Sequence, residues 1–207
     1  MLDVELLVIL LGWILATATP GPATISIISC AISSNRKEAL VMAAGIVTGS
    51  AVWGIVAAIG MGVIMYANAW IVEAIRYLGA AYLLYLAFKS FRRALSSQSI
   101  TIDTKTSSAM RTFVRGFFIH LFNPKAVFQW GALFAVVLPS NTDFSQTVFV
   151  LLTLLSGSTF VFVSYALLFS SKSVVKTYTK MSRYLEFGFA VFFGFAGVKL
   201  LTSRFNI

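Results

Sequence analysis

The sequence predicts an all-α membrane protein of six transmembrane helices, arranged as two inverted three-helix repeats whose first and fourth helices are broken at prolines. Three observations predict it. The 207 residues are 58% hydrophobic and 11% charged, far from the balance of soluble globular domains. Apolar runs alternate with short polar stretches, and each run approaches the roughly 20 helical residues that a hydrocarbon core takes. The first and fourth runs carry prolines at their centres, Pro20 with Pro22 and then Pro124, where a helix loses a hydrogen bond and the ring meets the preceding turn.

Composition also excludes several classes. A formal charge of +9 would suit nucleic acid only if the basic residues shared one soluble surface; here they sit in the gaps between apolar runs. Cys30 is the only cysteine, so an intramolecular disulfide or dithiol relay is ruled out, and no Cys/His cluster has metal-ligand spacing. No cofactor or metal is expected. The 19 phenylalanines suit lipid contact and core packing.

In chain order, Asp3 and Glu5 make the leader acidic where a signal peptide wants a basic one, so the first run is expected to be an uncleaved span. Leu6 to Asn35 carries no charge and would extend roughly 45 Å as one helix, too long to cross straight. Thr19-Pro20-Gly21-Pro22 divides it, with Gly21 allowing close approach of a ligand or another backbone. The second span covers Ala39 to about Tyr66, and its Gly45 and Gly49 permit close helix packing, within one bundle or in a homodimer. After a turn at Asn68-Ala69-Trp70, a third span runs from about Trp70 to Phe91. Glu73 and Arg76 pair there at i,i+3, as a structural ion pair or as a substrate gate.

Ser96 to Ser108 is rich in serine and threonine, a flexible connection between halves. This divides one transporter-like domain into a first repeat of about 1–93, a linker of about 94–111 and a second repeat of about 112–207. The fourth span contains His120-Leu121-Phe122-Asn123-Pro124-Lys125-Ala126. Asn123 is a good N-cap and Pro124 suits the first position of a new helix, so two half-helices are spelled. A loop at Pro139 to Asp143 leads to a fifth span from Thr147 to Phe169. Lys172, Lys176, Lys180 and Arg183 then form a basic helical face before a sixth span from Tyr184 to about Ser203. The first, third and fifth connections hold two, six and four Lys/Arg and the others none, which places the odd connections in the cytoplasm and both termini in the periplasm.

Broken helices at corresponding positions of inverted repeats point to a binding site. The expected site comprises Pro20, Gly21, Pro22, Ala23, Asn123, Pro124 and Lys125. Two buried helix N-termini and the Lys125 charge favour an anion, and Glu73 and Glu186 are placed near span ends, leaving the midplane without a carboxylate. A small solute bearing a carboxylate fits such a site. Its ammonium would be received by carbonyls freed at Ala16 and Ala18, or by the aromatic faces of Trp53 and Trp130. His120 is an accessory candidate, read as packed and hydrogen-bonded.

Thr19-Pro20-Gly21-Pro22, Gly45 through Gly49, Gly79-Ala80-Ala81-Tyr82-Leu83, and Gly116 followed by Asn123-Pro124-Lys125-Ala126 together resemble the LysE/RhtB amino-acid exporter family. Many relatives carry Asp or Asn where this chain has Ala23, and His where Trp53 stands. The resemblance implies a bacterial inner-membrane exporter of amino acids or close derivatives, small neutral ones of the homoserine/threonine type favoured, driven by the proton-motive force. Its partners would be the amino acid and the lipid bilayer. A passive ion or solute channel, an intramembrane enzyme and a redox carrier are the competing classes; an enzyme would want a paired nucleophile and base, and a channel a charged or carbonyl-rich filter. The charge count yields a direct test of orientation. With Cys30 replaced by serine, Ser99→Cys should resist an impermeant maleimide in intact spheroplasts and Asn141→Cys should react; the reverse pattern refutes the orientation.

Overall fold

The computed structural model describes residues 2–67, 69–96, 108–137 and 143–202, without the side chains of residues 2–5, 61–73, 75, 76 and 135–137. These residues form eight helices and no strand: α1 (Leu2–Ala18), α2 (Pro22–Ser33), α3 (Arg36–Ala67), α4 (Ala69–Leu95), α5 (Ala109–Leu121), α6 (Pro124–Val137), α7 (Phe144–Leu168) and α8 (Lys172–Thr202). Each proline motif separates two helices, as its local chemistry requires. The Asn68 turn, most of the Ser/Thr linker and the loop before Asp143 lie outside the described residues, as do the side chains of Glu73 and Arg76.

Arg36–Gly60, Phe144–Leu168 and Lys172–Thr202 are each long and apolar enough to cross a membrane, and Leu6–Ala18 with Pro22–Ser33 passes jointly, bent by 60°. Large apolar side chains point outward at helical spacing, including Leu7, Val8, Leu11 and Leu15 on α1 and Phe187, Val191, Phe195 and Val198 on α8. Such continuous apolar exposure is unstable in water and natural against lipid. The basic face expected at Lys172 to Arg183 is helical, but it is the first part of the same α8 that carries the last apolar run. Glu186 falls at the middle of this 31-residue helix, just after the basic face.

The interior is assembled around α3, which packs on α2, α5, α6 and α7, while α4 lies along α8. Small residues set the α3–α5 distance. A Cβ on Gly45 would stand 2.1 Å from the Phe113 carbonyl oxygen, and one on Gly116 would stand 2.5 Å from that of Met42. The glycine pattern of the second span is therefore occupied within the chain. Two apolar clusters result. One joins Ile27 and Ile28 of α2 to Met42 and Ile46 of α3, Val161 and Phe162 of α7 and Phe169 just after it; the other joins Trp13, Trp130, Phe134 and Leu154.

Because the Gly45 contact is backbone on backbone, a methyl group there must push two helices apart. Gly45→Ala is expected to cost about 1–3 kcal/mol, in the range of core overpacking, and to lower the thermal unfolding midpoint in detergent. Gly188→Ala, where a Cβ meets open space, should be neutral or up to about 1 kcal/mol stabilising through helix propensity. Equal midpoints for the two variants would remove the close-approach argument.

Candidate functional site

The first break begins where Pro20 and Pro22 withhold their N–H groups. The Thr19 N–H ends α1 on the carbonyls of Leu15 (3.2 Å) and Ala16 (3.4 Å). Gly21 then runs extended, at φ −154° and ψ −177°. Its N–H donates to the Thr24 hydroxyl at 2.8 Å, and that hydroxyl donates back to the Gly21 carbonyl at 3.1 Å. The helix α2 starts at Pro22 without a side-chain cap.

Successive carbonyls at this break are taken by side chains of other helices. Tyr165 of α7 donates its hydroxyl to Ala18 at 2.6 Å, Lys125 of α6 donates its ammonium to Thr19 at 2.8 Å, and Arg93 of α4 donates to Pro20. Of the two carbonyls expected to be free for a solute ammonium, Ala18 thus accepts from Tyr165 and Ala16 from the Thr19 N–H. An unpaired carbonyl at this depth would be expensive, and the fold satisfies these groups internally.

At the second break, Asn123 behaves as its sequence context predicts. Its side-chain oxygen accepts the Lys125 N–H at 3.1 Å, and its carbonyl accepts from Ala126 at 2.9 Å. The N-terminus of α6 is therefore capped, unlike that of α2. Trp53 donates its indole N–H to the Leu121 carbonyl at 2.9 Å, a group that Pro124 and the cap have deprived of a helical partner. Trp53 supports the break and does not line the adjoining cavities.

Between the breaks lies a polar cavity of about 20 Å³, lined by Trp13, Thr17, Gly21, Ala23, His120, Asn123, Lys125, Gln129 and Trp130, among others. That is room for about one water. A second pocket, of about 80 Å³, lies on the other face of the breaks and is lined by Pro20, Pro22, Pro124, Tyr85, Lys89 and Arg93. Gly21, Asn123 and Lys125 line both, so the Lys125–Thr19 hydrogen bond is part of the partition between them. A third, apolar cavity of about 350 Å³ shares Trp13 and Gln129 with the first. The Gln129 amide there donates to the Thr17 hydroxyl at 2.9 Å.

The predicted residues thus converge, in two groups. Ala23, His120 and Trp130 line the polar cavity, and the three prolines line the pocket beyond it. His120 is buried at 6% exposure with its ring edge-on to Phe162. Its Nδ1 has no hydrogen-bond partner, so the expected hydrogen bond is absent at that atom. Trp130 donates to Ser50 at 3.0 Å and Trp13 to Ser158 at 2.8 Å, and the two indoles meet edge to face with centroids 4.5 Å apart.

Sequence reasoning missed Trp13, Thr17, Ser50, Gln129 and Ser158. Their signals were weak but present: Gln129 falls one helical turn after Lys125, and each serine follows a glycine, Gly49 or Gly157, inside an apolar helix. It also missed Arg93 and Glu186. Glu186 is buried at 2% exposure, and its carboxylate lies 3.6 Å from the Arg93 guanidinium.

Residues 14–204 match the LysE type translocator family, and the chain belongs to that family. It is 30% identical to the threonine efflux protein of Salmonella typhi, over 92% of this chain and 94% of that one. It is 26% identical to the homoserine/homoserine lactone efflux protein of Salmonella typhimurium, over 92% of each chain. The leucine efflux protein of Klebsiella pneumoniae is 29% identical, over 85% of this chain and 82% of its own. No solved structure matches.

The Trp53 contact can be separated from its bulk. Trp53→Phe keeps an aromatic ring but leaves the Leu121 carbonyl without its donor, an expected loss of about 1–3 kcal/mol for an unsatisfied buried acceptor. Thermal unfolding in detergent measures it, and an unchanged midpoint would show that the carbonyl finds another donor.

Proposed function

We propose that this protein is a secondary active exporter of small neutral amino acids, of the homoserine or threonine type, in a bacterial inner membrane. It crosses that membrane six times as two inverted repeats, with termini in the periplasm and the break-forming helices of each repeat meeting at the midplane. The named activities of the relatives support the substrate class, and the order of elements supports the repeat: a broken helix pair followed by two long helices, twice.

The observation that carries the reading is Lys125, 9% exposed, whose ammonium is held by the neutral carbonyl of Thr19 at 2.8 Å. A substrate carboxylate is a stronger acceptor than an amide carbonyl, since charge-assisted hydrogen bonds are about twice as strong as neutral ones. A carboxylate arriving in the pocket beside Lys89 and Arg93 would therefore draw Lys125 away from Thr19. That exchange opens the partition to the polar cavity. In the state described here the cavity is too small for an amino acid, so passage requires the broken helices to move. The Gln129–Thr17 contact would close the opposite side, giving two partitions that open in turn. A passive channel needs both open together, which these direct hydrogen bonds oppose.

Replacing Lys125 by methionine keeps much of the side-chain length and removes the charge. Lys125→Met is expected to weaken competition by free threonine for efflux in inverted vesicles by on the order of tenfold to a hundredfold, the worth of a charged hydrogen bond. The decarboxylated amine, lacking the group that Lys125 recognises, should compete equally with parent and variant. Parental export by the variant, or equal loss of both ligands, would make Lys125 a purely structural residue.

A further inference from the structure

Glu186 stands at the middle of α8, inside the bundle, 2% exposed. Neither of its carboxylate oxygens makes a hydrogen bond of ordinary geometry; the Ser90 side chain and the Arg93 guanidinium are its polar neighbours. Its charge faces the Arg93 guanidinium at 3.6 Å. The same guanidinium donates to the Pro20 carbonyl, so α8 is tied through α4 to the first helix break. Ionisable residues within a membrane are costly and mark ion pathways and proton relays. An ordinary structural carboxylate would have its oxygens hydrogen-bonded.

We propose that Glu186 is the proton-binding site that couples transport to a proton gradient, and that its ionised form latches the first break through Arg93. The proposal rests on the exporter reading. When Glu186 takes a proton from water, one O–H bond forms and the carboxylate charge is lost. Arg93 is then a half-buried cation without its counter-charge, and the adjoining pocket, lined by Arg93, Ser90 and Lys89, offers it a polar refuge. Its hold on Pro20 weakens, and the side of the break carrying Lys89 and Arg93 opens. Return of the proton to water on that side restores the ion pair and recloses the latch around a bound carboxylate. Proton entry thereby alternates with substrate exit.

The groups around Glu186 are compatible with that cycle. Ser90 and Arg93 face it from α4, Lys125 from α6, Tyr165 from α7, and Tyr178 from its own helix. Its protonation state decides whether the cluster carries an uncompensated positive charge.

The test uses the full chain in proteoliposomes with labelled threonine, in two modes: exchange between equal pools, and accumulation driven by an imposed pH gradient. Glu186→Gln should keep exchange and lose gradient-driven accumulation, whereas Glu186→Asp should keep both. Accumulation by Glu186→Gln at the parental level overturns the proposal. Loss of both modes in the glutamine and aspartate variants alike assigns Glu186 to folding and also overturns it. Absence of either mode in the parent, with homoserine and leucine as well as threonine, would instead sink the exporter reading itself.

Discussion

The arrangement depends on how one helix break is satisfied. Once Pro20 and Pro22 interrupt the helix, the carbonyls at its end lose their helical donors. The chain supplies a phenol, an ammonium and a guanidinium from α7, α6 and α4. Each donor is long enough to reach across a helix interface, and two of them carry charge. The break is thereby a junction at which five helices meet, α1 and α2 with α4, α6 and α7.

The two breaks were legible because their causes are local. A missing N–H, a ring clash and an asparagine cap act within a few residues, so the sequence predicts α1–α2 and α5–α6 nearly as they occur. The partners of the freed carbonyls were not legible. They lie 73, 106 and 147 residues away for Arg93, Lys125 and Tyr165, and no short-range rule brings them to Pro20, Thr19 and Ala18. The surroundings of Glu186 were illegible for a related reason: its charge partner Arg93 stands on another helix, far away in the sequence.

The tryptophans show a different case, in which the residue type was visible and the hydrogen-bond partner was not. Trp53 and Trp130 both read as aromatic faces for a cation. One uses its N–H to satisfy the second break, and the other donates to Ser50 while packing against Trp13. Their rings contribute burial and their N–H groups contribute position, as expected of a side chain that joins an apolar body to one donor. Trp130 lines the polar cavity together with Trp13, whereas Trp53 stands outside it.

The glycine contact between α3 and α5 has a mechanical meaning. Those helices come from opposite sides of the Ser/Thr linker, yet their backbones touch at Gly45 and Gly116 with no side chain to slide or compress. Two separate three-helix bodies hinged at their shared surface would have to part at this seam. A motion that kept this seam as a fixed frame would instead turn on the short segments beside it, where α1 meets α2 and α5 meets α6: a rigid lattice with two flexed struts in place of a pair of rocking shells.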